Sequence, residues 1–210
     1  MGEFQKILSV SKLIAEESPG HVFIGGIAVY LHAINNSRTQ AAAETSHDSD
    51  LMISLEDLGT LRDLHEMTRN QRLDKHQIIY DGVEFDVYVE RQNSLAVPYD
   101  EVRRHAVVYD GIHVAALEHL LILKLNALTA RARSSKGAKD RRDVVMIVRL
   151  MGGKLKKGLL APYVLPKHVK ALEEVEQSPV FTEISGGNAH EAKSIRLIFS
   201  EFVNNVVKRA

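Results

Sequence analysis

The sequence predicts an α+β protein: a small mixed sheet with flanking helices, followed by a helical C-terminal region. Three observations carry that expectation. Short apolar or alternating runs, punctuated by Gly, Pro and Asp-Gly, crowd the first ~115 residues, as strands and turns do. Longer runs with helical spacing of apolar residues fill the remainder. The strands do not alternate regularly with long helices, so a doubly wound sheet is not expected. The division falls between a core over residues 1–115 and a helical region over 116–210.

The elements follow in order. Phe4, Ile7, Leu8, Val10, Leu13 and Ile14 lie near helical spacing, which predicts an amphipathic helix over 3–17, stopped by Ser18-Pro19-Gly20. HVFI at 21–24 reads as a short buried strand, Gly25-Gly26 as a turn and IAVYLHAI at 27–34 as a helix. The small, polar residues 35–47 read as a loop. DSDLMIS at 48–54 reads as a strand, and 55–67 as a helix with Ser54 as its N-cap. HQIIYDGVEFDVYVE at 76–90 predicts a hairpin turning at Asp81-Gly82. A third strand is expected near 105–115. Helices follow over 116–132 and 139–152, a connector over 153–166, and an amphipathic helix from His190 to Arg209.

The chain has no cysteine, which removes disulfides and thiolate zinc sites and fits a reducing cytoplasm. MGEFQK lacks the basic-then-apolar run of a signal peptide. The longest apolar stretches fall far short of the ~20 residues that span a bilayer. A cytoplasmic protein with no membrane partner is therefore expected. Formal net charge is zero but unevenly spread. Residues 1–118 hold 10 basic and 19 acidic residues, and residues 119–170 hold 13 basic and 2 acidic ones. An acidic half can hold cations, and a basic half can hold phosphates or nucleic acid. Equally, the two halves can simply attract each other.

Asp48 and Asp50 are the first candidates for chemistry. Residues i and i+2 of a strand project from one face, which sets the two carboxylates roughly 7 Å apart at Cα. Like charges this close call for a neutralising cation, and carboxylate oxygens suit Mg2+. Asp86 and Tyr88 alternate with Phe85 and Val87 on a second strand. If the two strands pair, Asp86 joins the acids, and three carboxylates can hold two metal ions for in-line phosphoryl transfer. A lone Asp-x-Asp is also a common solvated strand end. Gly25-Gly26 permits close backbone approach to a ligand, with the N–H groups of a helix N-terminus behind it; a plain tight turn is the alternative.

Lys124 follows the apolar run LLIL, where a cation is costly unless a phosphate or carboxylate pairs it or its stem carries the ammonium to solvent. Asp140 and Asp143 share a helical face and could contact substrate or favour the helix N-terminus; Lys139 is open in the same way. No GxGxxG, GxxxxGK or GxSxG occurs, and neither His-Glu pair has the His at i+4 that a zincin needs.

FIGGIAVYLHAI, DSDLMIS, EFDVYVE, AALEHLLILKLNALTAR and KDRRDVVMI stand in an order that resembles the AbiEii-type nucleotidyltransferases, the toxin half of bacterial toxin–antitoxin systems. The resemblance covers about residues 20–150. It implies a polymerase-β-like core, two Mg2+ ions, a nucleoside triphosphate donor and a cognate antitoxin protein. It also implies a phosphate-cradling turn at Gly25-Gly26, a carboxylate triad at Asp48, Asp50 and Asp86, and a triphosphate contact from Lys124. Lys139 and Asp140 match the family's Lys-Asp pair, with Asp143 one turn on. Gly26 stands where serine often follows the first glycine, and Arg38-Thr39 is displaced from the carboxylates by QAAAETSH. The expected activity is nucleotidyl transfer to an acceptor hydroxyl, with RNA such as tRNA as acceptor. The alternatives are a small-molecule acceptor such as an antibiotic, and an inactive module that binds nucleotide or a partner protein.

Overall fold

The computed structural model describes residues 3–45, 49–152 and 154–207. The protein is α+β, with a seven-stranded mixed sheet and flanking helices. It divides into two compact units, Met1–Asn35 with Ala43–Ala116, and Asn36–Ala42 with Leu117–Ala210.

The first unit holds the sheet. Helix α1 (Glu3–Glu17) buries Ile7, Val10 and Ile14 and ends as Ser18 N–H bonds to Ile14 O. Strand β1 (Val22–Ile24) is fully buried and runs directly into α2 (Gly25–Ile34), which starts two residues earlier than its apolar run suggests. Strand β2 (Ser49–Ile53) leads to α3 (Leu55–Leu64), capped as expected by Ser54, whose Oγ accepts from Asp57 N–H at 3.0 Å. Strands β3 (Met67–Asn70), β4 (Lys75–Tyr80) and β5 (Val83–Val89) follow, then α4 (Tyr99–Arg104), β6 (Val107–Tyr109) and β7 (Ile112–Val114). The sheet order is β3-β4-β5-β2-β1-β7-β6. β2 pairs antiparallel with β1 and parallel with β5, and this pairing positions the acidic residues described below.

The β4–β5 hairpin turns at Asp81 (φ 47) and Gly82 (φ 72), the two positive φ values of a tight hairpin turn. The segment near 105–115 is not one strand but two, β6 and β7, turning at Asp110 (φ 50) and Gly111 (φ 81) by the same chemistry. Lys6 and Lys12 of α1 reach Asp81 and Asp110 in these two turns. Along β5, Val83, Phe85, Val87 and Val89 are buried, while Glu84, Asp86 and Tyr88 take the other face.

His21, just before β1, is 1% exposed. Its Nε2 lies 2.9 Å from the backbone N of His113, which can only donate, and its Nδ1 lies 2.6 Å from Ser18 O, which can only accept. The ring is therefore held as the neutral Nδ1–H tautomer. Burial pushes its pKa down to about 4, opposed by the Ser18 carbonyl and helped by His113 and Arg103.

The second unit is helical: α5 (Leu117–Arg131), α6 (Ser135–Met151), α7 (Lys157–Leu160), α8 (Pro166–Glu176), α9 (Val180–Ile184) and α10 (Ala189–Val207). Its core includes Leu120, Leu121, Val144, Ile147, Leu172, Phe181 and Phe199, the last two in edge contact with ring centroids 5.5 Å apart. α6 starts four residues before the apolar run suggests, because Ser134 caps it by accepting from Gly137 N–H at 3.1 Å. Asp140 thus lies in the second turn, too far in to cap this helix. Among the described residues, no helix is long and apolar enough to cross a membrane.

Candidate active site

β1 and β2 run antiparallel with Ile24 opposite Asp50, so the chain leaves the sheet at Gly25 beside the Asp50 carboxylate. Gly25 has φ 68, which side chains other than glycine avoid. A Cβ placed there would meet Asp50 Oδ2 at 2.1 Å and its Cγ at 2.9 Å. The glycine lets backbone and carboxylate approach to a separation that no other residue permits. α2 begins at this point without a side-chain cap and without an acidic residue in its first turn. Its leading N–H groups belong to a helix end that favours anions. Gly26 is buried in the same first turn.

β2 and β5 run parallel with Asp50 opposite Asp86 and Leu51 opposite Val87. Cross-strand partners share a face, so the two carboxylates stand side by side while Leu51 and Val87 enter the core. Asp48 lies outside the described residues. Among the described residues, no three His, Cys, Asp or Glu side chains gather as a metal site.

Two further side chains on this face engage Asp86, and their types and spacing alone do not single them out. Gln77 of β4 lies opposite Asp86 and donates from Nε2 to Asp86 Oδ1 at 3.2 Å and to Glu84 Oε1 at 2.7 Å. Lys75, two residues earlier and therefore on the same face, places its ammonium on Asp86 Oδ2. The side chains of Lys75 and Asp86 are 11% and 17% exposed. The hairpin carried the signal for both: counting back from Asp81-Gly82 sets Gln77 against Asp86, and Lys75 follows by the strand period.

The second unit holds the other candidates. Lys124 is buried on α5, and its ammonium lies 2.6 Å from Asp143 Oδ2 and 3.4 Å from Asp140 Oδ1. Arg131 adds a fork to Asp140, Nε to Oδ2 at 2.8 Å and an Nη to Oδ1 at 3.1 Å. Carboxylates thus provide the countercharge that the apolar run before Lys124 demands. Lys139, on the same helix as both aspartates, is half-buried. In the basic stretch, Arg131 and Arg149 are engaged with Asp140 and Glu191, and Arg141 donates to Ala132 O at 2.5 Å. Arg133, Lys136, Lys154, Lys156 and Lys157 are exposed.

No protein-family model and no curated protein matches the chain. Among solved structures it is similar to JHP933 from Helicobacter pylori, at TM-score 0.53 and 12% identity over 100% of this chain and 95% of that one. It is also similar to an antigenic nucleotidyltransferase-like protein from Paracoccidioides brasiliensis, at 0.49 and 15% identity over 85% and 91% of the two chains. A third likeness is to the Megavirus polyadenylate synthase, at 0.49 and 16% identity over 67% of this chain and only 31% of that enzyme. The likeness to JHP933 is one of fold, and it spans both units.

Proposed function

We propose that the chain is a divalent-metal-dependent nucleotidyltransferase of the AbiEii toxin type, moving a nucleoside monophosphate from a triphosphate to an RNA hydroxyl such as a tRNA 3′ end. What supports the reading above all is one juxtaposition: Asp50 beside Asp86 across β2 and β5, with Gly25 packed on the Asp50 carboxylate. The donor set fits Mg2+. It is all carboxylate oxygen, and Lys75 lies on one of its members as a countercharge.

In this reading Asp50 and Asp86, with Asp48, would hold two Mg2+ ions; when bound, these would supply charge neutralisation for the triphosphate and a lowered pKa for the attacking hydroxyl. Gly25, Gly26 and the first turn of α2 receive phosphate oxygens. Asp86 orients the acceptor hydroxyl and draws off its proton. The acceptor oxygen bonds to the α-phosphorus, whose bond to the pyrophosphate oxygen breaks. Within the second unit, Lys124 and Lys139 are assigned to nucleotide by the family resemblance, and Asp140 and Asp143 hold the Lys124 ammonium. The exposed Arg133, Lys136, Lys154, Lys156 and Lys157 favour an RNA acceptor over a cationic antibiotic. A cognate antitoxin protein belongs to the same reading.

The test is incubation of the protein with each labelled nucleoside triphosphate, Mg2+ and total RNA, beside Asp50→Asn and Asp86→Asn. Metal-dependent label on RNA that both variants lose is the expected result. Label on small molecules only would replace the RNA acceptor. No transfer from any triphosphate to either acceptor class would overturn the enzyme.

A further inference from the structure

We propose that Lys75 is a resident countercation of the acidic pair. It withholds Asp86 from a free divalent ion and yields it to a metal–nucleotide complex. The inference rests on the metal site of the reading above and concerns the order in which that site fills.

The geometry is set by strand register. Gln77 faces Asp86 directly across β4 and β5, and Lys75 precedes it by two, on the same face. From the first residue of β4 the lysine stem reaches diagonally to Asp86 Oδ2. Gln77 holds the other oxygen, Oδ1, so Asp86 stays oriented when Lys75 leaves. With its side chain 11% exposed and that of Asp86 17% exposed, the pair is weakly screened by salt. Lysine suits a countercharge that departs, because its ammonium is a point charge on a flexible stem, without the fixed fork of arginine.

Charge then decides between the two incoming species. A free divalent ion approaches an oxygen already covered by a positive charge, and the two repel. A metal–triphosphate complex carries net negative charge, so the Lys75 ammonium can transfer from Asp86 to phosphate oxygen without losing an ionic partner. The site therefore disfavours metal alone and accepts metal with nucleotide. A purely structural ion pair has a different signature: losing Lys75 would weaken the fold and leave metal affinity unchanged or poorer.

Mn2+ is the probe, followed by electron paramagnetic resonance of the full-length protein, first alone and then with a non-hydrolysable nucleoside triphosphate analogue. In Lys75→Met, free Mn2+ is expected to bind about tenfold tighter, as removal of one nearby charge in a partly buried site implies. The Mn2+–analogue complex is expected to bind no tighter than to the wild type, and Lys75→Arg to keep free-ion binding weak. Free Mn2+ affinity unchanged or reduced in a folded Lys75→Met protein overturns the proposal. If that variant does not fold, Lys75→Gln carries the same expectation, because its amide can still donate to Asp86. Asp50→Asn and Asp86→Asn separate the two ideas. If the wild type shows no binding of the Mn2+–analogue complex that these variants weaken, the metal site and the Lys75 role both fall. If they weaken that binding and Lys75→Met does not tighten free Mn2+, only the Lys75 role falls.

Discussion

Gly25→Ala tests the proposed site at its tightest point. The new Cβ meets Asp50 Oδ2 at 2.1 Å, Cγ at 2.9 Å and Cβ at 3.0 Å. An ordinary carbon–oxygen contact needs about 3.3 Å or more, so the carboxylate must retreat by roughly 1 Å. The alanine also keeps φ near 68, which costs about 1–2 kcal/mol for a residue with a side chain. Strain and repacking together put the stability loss at roughly 2–3 kcal/mol. A displacement of about 1 Å at a reacting centre costs on the order of a hundredfold in rate. Activity should therefore fall far more than the folded fraction. Urea unfolding reads the stability loss, and nucleotidyl transfer and Mn2+ titration of the same preparation read the loss at the site. Gly59→Ala is the control, because a Cβ there meets nothing within 4 Å and sits in the exposed interior of α3. It should gain up to ~1 kcal/mol and bind Mn2+ as the wild type does. A Gly25→Ala protein with wild-type metal affinity and wild-type transfer would refute the link between this glycine and the acids.

Three further outcomes follow from particular contacts. His21 has a folded-state pKa of about 4, below its ordinary 6.5, so from pH 6.5 down to 4 the unfolded chain takes up a proton that the folded chain refuses. Urea midpoints should fall across that window by up to roughly 3 kcal/mol of stability, and His21→Gln should flatten the fall; an identical pH profile would remove His21 as its source. Lys124→Met leaves the buried Asp140 and Asp143 without this ammonium and should cost about 3–5 kcal/mol, visible by calorimetry, with part recovered by adding Asp143→Asn. RNA affinity measured from low to moderate salt should fall steeply, and Lys154/Lys156/Lys157→Ala should reduce the log–log slope by about 2; a flat salt response would sink the RNA track.

The sequence was most readable where one local rule governs one element. Ser54 before α3, Asp81-Gly82 in the hairpin and the alternation of β5 all act within a few residues, and each stands in the fold as its pattern implies. β3 escaped because MTRN, at the sheet edge, buries nothing that would impose an apolar alternation. α4 escaped because six residues are too few to show a helical period, although Pro98, the first-turn acids and the last-turn arginines outline it. In the candidate site, Gly25, Asp50 and Asp86 were legible as types and spacings. Their adjacency was not, because it depends on the register of β1, β2 and β5, which is set by burial across the sheet. Lys75 and Gln77 needed that register plus a hairpin count. The charges around Lys124 illustrate the converse: the need for a partner was readable, but whether phosphate or carboxylate supplied it was not.

The adjacency of Asp50 and Asp86 can itself be weighed against a purely structural account. Neighbouring strands lie ~4.8 Å apart, and like charges directly opposite destabilise a sheet. Lys75 offsets part of that repulsion at Asp86, and the start of α2 favours a negative charge at Asp50. These local supports make the stability of either single variant a poor measure of the pair. A double-mutant cycle removes them, because each support acts on one carboxylate and cancels in the coupling. With chelator present, Asp50→Asn and Asp86→Asn should each relieve the same repulsion, so that the double variant gains less than the sum. The coupling expected is about 1 kcal/mol, repulsive in sign. With saturating Mn2+ the sign should invert, because both oxygens then serve one cluster of charge, and losing either makes the other less useful. A coupling near zero under both conditions would mean that the carboxylates do not share an ion, and the adjacency would then be an accident of register.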